Sequence, residues 1–146
     1  MVDRHARNIA AEALRDFMEG SISNKEYERR YPKSKDDPAL WGIYANIWFC
    51  YSDTSEHTLS GKHALTDDGR AIVERCLLFL KSDLEFQWPA TKLRLWYPLL
   101  RLIGLGRIVN RQVEKEMSIG EMEVWPFLRK TDYEEATSRQ QEPKNA

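Results

Sequence analysis

The stretch "PALWGIYANIWFCYS", residues 38 to 52, decides the fold. Its apolar residues recur at the i, i+3, i+4, i+7 spacing of one helix face, and a second apolar flank lies beside that face. Asp37 suits the N-cap, and Pro38 fits the first helical position, where its missing N–H is harmless. A helix so apolar around its circumference is typical of a central element. The first face contains Leu40, Ile43, Tyr44, Ile47, Trp48 and Tyr51, and the flank adds Trp41, Ala45 and Phe49.

Other segments on both sides of this central helix also show helical periodicity. A short helix is expected between Ser23, which pairs with Glu26 in a capping-box pattern, and Pro32, which ends it. Thr66 suits the N-cap of a later helix. The last segment, "TDYEEA", predicts a short helix near the end of the chain. The longer helices are predicted at residues 4–19, 67–81 and 91–117.

Two segments, 84–88 and 121–125, alternate apolar and polar residues instead. This alternation leaves open a minor two-stranded β element or, at 84–88, an extended connection. The predicted fold is therefore mainly α, a compact bundle of four to five helices with that β element as an option. Residues 1–136 form a single helical domain in this prediction. Residues 137–146 are polar and poor in apolar side chains, which predicts a disordered tail.

Composition narrows the class of protein. The chain has 146 residues and a net charge of −1, whereas general nucleic-acid binding needs a basic domain. The sequence predicts no signal peptide, transmembrane segment, cofactor motif or metal-ligand spacing, so we expect a cytoplasmic protein. We expect it to be a monomer or a homodimer. Cys50 and Cys76 lie inside apolar runs, which predicts two buried, reduced thiols.

The most polar stretch is "YSDTSEHTLSGKHALTDDGR", residues 51 to 70. It is open to three interpretations: a solvated loop, a partner-binding surface, or a metal or acid–base site built from His57, His63 and Asp53. The two histidines are six residues apart, a spacing that does not place them on one helix face. A shared site would therefore need a shaped loop. The candidate partner-binding residues here are Asp53, Glu56, His57, Lys62, His63, Asp67 and Asp68.

A basic segment spans residues 92–111. No acidic residue lies between Glu85 and Glu114, and the segment carries Arg101, Arg107 and Arg111 in addition to Lys92 and Arg94. Such a segment is typical of a docking face for an acidic partner or of a peripheral membrane contact. Pairing of the arginines with acidic neighbours is the alternative.

The segment "LRDFMEGSISNKEYERRYP", residues 14 to 32, resembles the opening of small bacterial immunity proteins of the colicin D type. In those proteins, too, a helix ends in a glycine and a short capped helix with an aromatic–Glu pair follows. The later segments "FLKSDLEFQWP" and "VWPFLRKTDYEEA" are similar to uncharacterised bacterial proteins. The resemblance covers about twenty residues and assigns no functional residue.

These observations favour a small, non-enzymatic protein-binding domain of the immunity or antitoxin kind, because an acidic loop suits a basic toxin. Two alternatives remain. One is a small metal- or acid–base-dependent enzyme that uses His57, His63 and Asp53. The other is a helical module that docks to a membrane or complex through Arg101, Arg107 and Arg111.

Overall fold

The computed structural model describes residues 1–89 and 101–141, without the side chains of residues 116 and 117. The described residues form six α-helices joined by short turns, so the mainly α class is confirmed. Three short 3₁₀ turns lie at Trp48–Cys50, Gly61–His63 and Met122–Val124. The helices are α1 (Arg4–Met18), α2 (Asn24–Arg30), α3 (Pro38–Ile47), α4 (Asp67–Lys81), α5 (Gly106–Ile119) and α6 (Lys130–Gln141).

Local capping sets where the first four helices begin. Side chains at the N-caps accept hydrogen bonds from amides in the first turn, which would otherwise have no partner inside the helix. Ser23, Asp37 and Thr66 act in this way, as the sequence predicts. Asp3 does the same for α1 through the amide of Ala6.

The core lies where α1 packs against α2 and α4. Phe17 of α1 stacks on Tyr27 of α2 with ring centroids 4.8 Å apart, and both side chains are buried. Helix α3 adds one buried face to this core, formed by Leu40, Ile43 and Ile47. Its other side is only partly covered, since Trp41 is 51% exposed whereas Tyr44 packs on Tyr27 and Tyr31. The α-helix ends at Ile47 instead of continuing to residue 52. The expected central helix is therefore a half-covered one.

A buried ion pair joins α1 to the start of α3. The Arg7 guanidinium donates to the Asp37 carboxylate through Nε at 2.6 Å and Nη2 at 3.1 Å, and both side chains are fully buried. Nη1 of Arg7 donates to the carbonyls of Ser82 and Leu84. The Arg7 side chain of α1 therefore binds both the N-cap of α3 and the residues after α4, and it fixes how these three segments are placed.

The predicted two-stranded element at 84–88 and 121–125 is wrong. No strand occurs in the described ranges; residues 84–87 have no regular structure, and 122–124 form a 3₁₀ turn. The two segments do meet, but through side chains. The Trp88 indole N–H donates to the carbonyls of Pro126 and Phe127. Along this extended connection Leu84 is exposed, Phe86 is half-buried and Trp88 is buried, so burial increases toward the contact with residues 126–127.

The end of the chain differs from the predicted tail, because α6 continues to Gln141 and residues 137–141 belong to it.

Helix α5 begins at Gly106. Residues 91–100, the start of the helix predicted at 91–117, lie outside the described residues. Close packing occurs where α5 ends: a Cβ on Gly120 would lie 2.7 Å from the Leu128 carbonyl oxygen. Across residues 1–89 and 101–141, no helix is both long and apolar enough to cross a membrane.

Candidate functional site

The polar loop, defined here as residues 51–66, is anchored to α2 by one buried side chain. Asn24 has no exposed surface. Its side-chain amide donates to the carbonyls of Ser55 and Ser52, and its Oδ1 accepts from the amide of His57 at 3.0 Å. The Asn24 backbone amide donates to the His57 carbonyl at 2.9 Å. With donor and acceptor groups all used, Asn24 holds the polar loop in one ordered conformation.

Two of the predicted carboxylates bind α2. Lys25 donates to Asp53 at 2.6 Å, and the Ser23 hydroxyl donates to Glu56 at 2.6 Å. The hydrogen bond from Lys25 is the largest cause of the lowered pKa of Asp53. Asp53 and Glu56 therefore help to hold the polar loop against α2.

Asp67 and Asp68 have a different environment. They lie exposed in the first turn of α4, where the positive end of the helix dipole favours carboxylates. Neither forms an ion pair within the part of the chain that the structure describes. These two carboxylates are therefore available to a partner.

The polar loop brings the two histidines together. The rings of His57 and His63 stack with centroids 4.0 Å apart and an interplanar angle of 25°. Nδ1 of His57 lies 2.8 Å from the Ser55 carbonyl, while its buried Nε2 has no hydrogen-bond partner in the described structure. Partial burial is the largest cause of the lowered pKa of His63, and the charges of His57 and Lys62 lower it further.

Asp53 does not join this pair, since its carboxylate binds Lys25. Residues 1–89 and 101–141 hold no group of three or more His, Cys, Asp or Glu side chains placed to bind a metal. Both cysteines, Cys50 and Cys76, are free thiols, and burial raises the pKa of each. Cys76 is fully buried, whereas Cys50 is half-buried.

Sequence reasoning did not find the largest exposed aromatic feature. Trp41, Trp48 and Phe49 are 51%, 40% and 61% exposed, and we call these three residues the aromatic ridge. Their i, i+7, i+8 spacing places them on the outer face of α3 and the turn that follows it. The Trp48 and Phe49 rings contact each other with centroids 6.0 Å apart. The sequence placed Trp41 and Phe49 in the second apolar flank and Trp48 on the first face, but apolar character alone does not tell a buried residue from an exposed one.

Clefts lie at both ends of the aromatic ridge. Beside Phe49, a cleft of about 500 Å³ is bounded by the end of α3 and the start of α4, and Asp68 and Arg75 line it. Beside Trp41, an apolar groove of about 210 Å³ is lined by Tyr31 and Tyr44. The ridge is therefore bordered by concave surface into which a partner's side chains could fit.

The basic segment is described only from Arg101 onward; Lys92 and Arg94 lie outside the described residues. Arg101, Arg107 and Arg111 are exposed. In the described structure none of the three has an acidic group within 4.0 Å, so the expected pairing with acidic neighbours is not observed there. The Arg101 guanidinium donates to the side chain of Asn110 at 3.5 Å.

Comparison with models of known families, with curated proteins and with solved structures finds no match to the chain. The proposals that follow therefore depend on the residues, their contacts and their exposure.

Proposed function

We propose that the chain is a non-enzymatic, cytoplasmic binding domain whose partner is a basic protein. The binding surface is the aromatic ridge, together with the carboxylates of Asp67 and Asp68. The observation that carries the proposal is the exposure of Trp41, Trp48 and Phe49 on one face. Tryptophan is among the residues that contribute most to protein–protein affinity, and aromatic side chains are enriched in interface cores.

The aromatic ridge is held on a rigid support. The opposite face of α3 is buried through Leu40, Ile43 and Ile47, and the start of the helix is fixed by the Arg7–Asp37 pair. A rigid, preorganised surface loses less conformational entropy on binding than a mobile one. The position of the ridge therefore supports high affinity from a small number of contacts.

Charge favours a basic partner. Residues 52–69 carry four carboxylates and one lysine. Asp53 is paired with Lys25, whereas Asp67 and Asp68 form no ion pair in the described residues. Asp68 lines the cleft beside Phe49, which Arg75 also lines. Carboxylates placed this way attract a positively charged protein and orient it before contact.

The contacts of Asp53, His57 and His63 support an enzyme less than they support a binding domain. Asp53 is bound to Lys25, and His57 Nδ1 contacts the Ser55 carbonyl. The two histidines stack on each other inside a loop that Asn24 holds in place. These contacts fit a structural role for the pair better than proton transfer to a substrate.

The resemblance of residues 14–32 to colicin D-type immunity proteins favours a toxin among possible basic partners. The two free thiols, Cys50 and Cys76, support the cytoplasmic location, because reduced cysteines are usual in that compartment. A toxin gene next to the gene for this chain would support the toxin as partner.

Site-specific photo-crosslinking in the source cells tests the proposal. A photoreactive phenylalanine analogue replaces Phe49 in one variant and Ile9 in a control, because Ile9 is an exposed apolar residue on α1. We expect position 49 to capture a basic protein that position 9 does not capture. Capture of the same proteins at both positions, or of none at position 49, would contradict the proposal.

A further inference from the structure

We propose that residues 101–111, named here the basic turn, form a second surface that docks onto an anionic lipid bilayer. This surface is separate from the aromatic ridge and does not depend on the protein partner proposed above.

The basic turn exposes large aliphatic side chains. Leu102, Ile103 and Ile108 are 83%, 62% and 62% exposed, and a group of neighbouring exposed apolar side chains is typical of an interaction surface. A turn lies before α5. Gly104 adopts a φ of +83°, a conformation that other residues rarely adopt, and its amide donates to the Arg101 carbonyl.

Three arginines lie in the same segment, residues 101–111, as these aliphatic side chains. Arg107 and Arg111 are four residues apart and so share a face of α5. The hydrogen bond from Arg101 to Asn110 brings the third guanidinium to the first turns of the same helix. The chain has no acidic residue from 86 to 113, so no carboxylate of this segment neutralises these charges.

The geometry favours a bilayer over a protein groove. Side chains more than 60% exposed project outward, as apolar groups do when they enter the boundary between lipid headgroups and acyl chains. The exposed apolar residues of the basic turn are aliphatic, whereas protein interfaces are enriched in aromatic residues and their hot spots are poor in leucine. Within α5, Ile108 is 62% exposed whereas Val109 is buried, so one side of this helix faces outward.

Charge complementarity then selects the lipid. Anionic lipids attract arginines near the membrane surface, and each such residue raises binding about fivefold. The three arginines together therefore correspond to roughly a 100-fold preference for anionic over zwitterionic vesicles. Insertion of Leu102 and Ile103 adds affinity that salt does not screen.

Vesicle co-sedimentation of the full chain tests the proposal. The probes are vesicles of 30% phosphatidylglycerol in phosphatidylcholine and vesicles of phosphatidylcholine alone, at low and physiological salt. We expect binding to the anionic vesicles only, weaker at the higher salt. The triple variant Arg101→Gln/Arg107→Gln/Arg111→Gln should lose roughly 100-fold in affinity, and Leu102→Asn/Ile103→Asn should lose roughly tenfold or more.

A matched control removes the same charge elsewhere. The variant Lys35→Gln/Arg70→Gln/Arg129→Gln alters three exposed basic residues and should bind like the unmodified chain. Equal losses in the two triple variants would overturn the assignment to the basic turn. Equal binding to both vesicle types, or binding to polyglutamate without binding to anionic vesicles, would overturn the lipid proposal; the latter result would indicate an acidic protein. Any of these results leaves the aromatic ridge and its crosslinking test unaffected.

Discussion

Removing the Asp37 carboxylate should be among the most destabilising single changes in this protein. Asp37 accepts from Arg7 Nε at 2.6 Å and Nη2 at 3.1 Å, and from the amides of Asp3 at 3.0 Å and Ala39 at 3.1 Å. Asp37→Ala leaves the fully buried guanidinium unpaired, which costs about 3–5 kcal/mol. Loss of the α3 N-cap adds about 1 kcal/mol. The sum, about 4–6 kcal/mol, is comparable to the lower end of the stability of a domain, about 5–15 kcal/mol.

Urea unfolding followed by circular dichroism measures this change. Asp36→Ala is the matched control, because Asp36 is exposed and should shift the free energy of unfolding by less than about 0.5 kcal/mol. The double variant Arg7→Met/Asp37→Ser removes both charges and keeps a capping hydroxyl. It should recover at least about 2 kcal/mol relative to Asp37→Ala. A loss below about 1.5 kcal/mol for Asp37→Ala, or no recovery in the double variant, would refute the reasoning.

The same pair predicts a pH dependence. Burial alone would raise the pKa of Asp37, but the hydrogen bonds from Arg7 and from the two amides outweigh burial and lower it. Because the folded-state pKa lies below the ordinary value of 3.8, this stabilisation is present above that pH. It is lost as the pH falls through the lower, folded-state pKa. The double variant should lack this part of the acid sensitivity in urea titrations at different pH values.

Three further predictions concern the rest of the fold. Gly120→Ala should lower the free energy of unfolding by about 1–3 kcal/mol, because its Cβ would meet the Leu128 carbonyl. Gly106→Ala should not lower it, because the space around Gly106 is open. An equal effect of both changes in urea unfolding would argue against close packing of Gly120 on Leu128. Asn24→Ala should cost about 2–3 kcal/mol and raise amide hydrogen exchange in the polar loop, because the Ser55 carbonyl and the His57 amide lose their buried partner. Unchanged exchange there would disprove the anchor. NMR titration should give His63 a pKa below 6.5. The contribution of His63 to stability, present above pH 6.5, should then decline as the pH falls further. A pKa above 6.5 would exclude the observed ring environment.

Features set by local chemistry could be predicted from the sequence. Ser23, Asp37 and Thr66 lie at their helix N-caps because a short polar side chain satisfies amides only a few residues away. Phe17 and Tyr27 also meet within a single helix–turn–helix, so their contact depends on residues close together in the chain. Such signals require no knowledge of distant partners.

Long-range contacts account for what the sequence did not predict. Arg7 looks like a surface charge until folding places Asp37 and the carbonyls after α4 around it. Asn24 looks like an ordinary polar residue of a short helix, yet it anchors the polar loop. The aromatic ridge has the composition of a core flank, and only the packing of the other helices determines which side of α3 is covered.

The alternation at Leu84, Phe86 and Trp88 was interpreted as a possible strand for a related reason. A period of two shows that one side of an extended segment is buried, but it does not show what covers that side. Here Trp88 is buried against residues 126–127 through its indole N–H, so no β ladder forms.

The measurement that tests the central claim most directly is the affinity of the captured basic protein for chains altered on the aromatic ridge. Trp48→Ala and Phe49→Ala are compared with Ile9→Ala by isothermal titration calorimetry, with thermal melting of each chain as the fold control. We predict that Trp48→Ala weakens binding by roughly 30-fold or more, the effect of a hot spot of about 2 kcal/mol, and that Phe49→Ala also weakens it. Ile9→Ala should bind like the unmodified chain, and the melting curves should show that every variant remains folded at the temperature of the binding measurement. Unchanged affinity in both ridge variants would contradict the account.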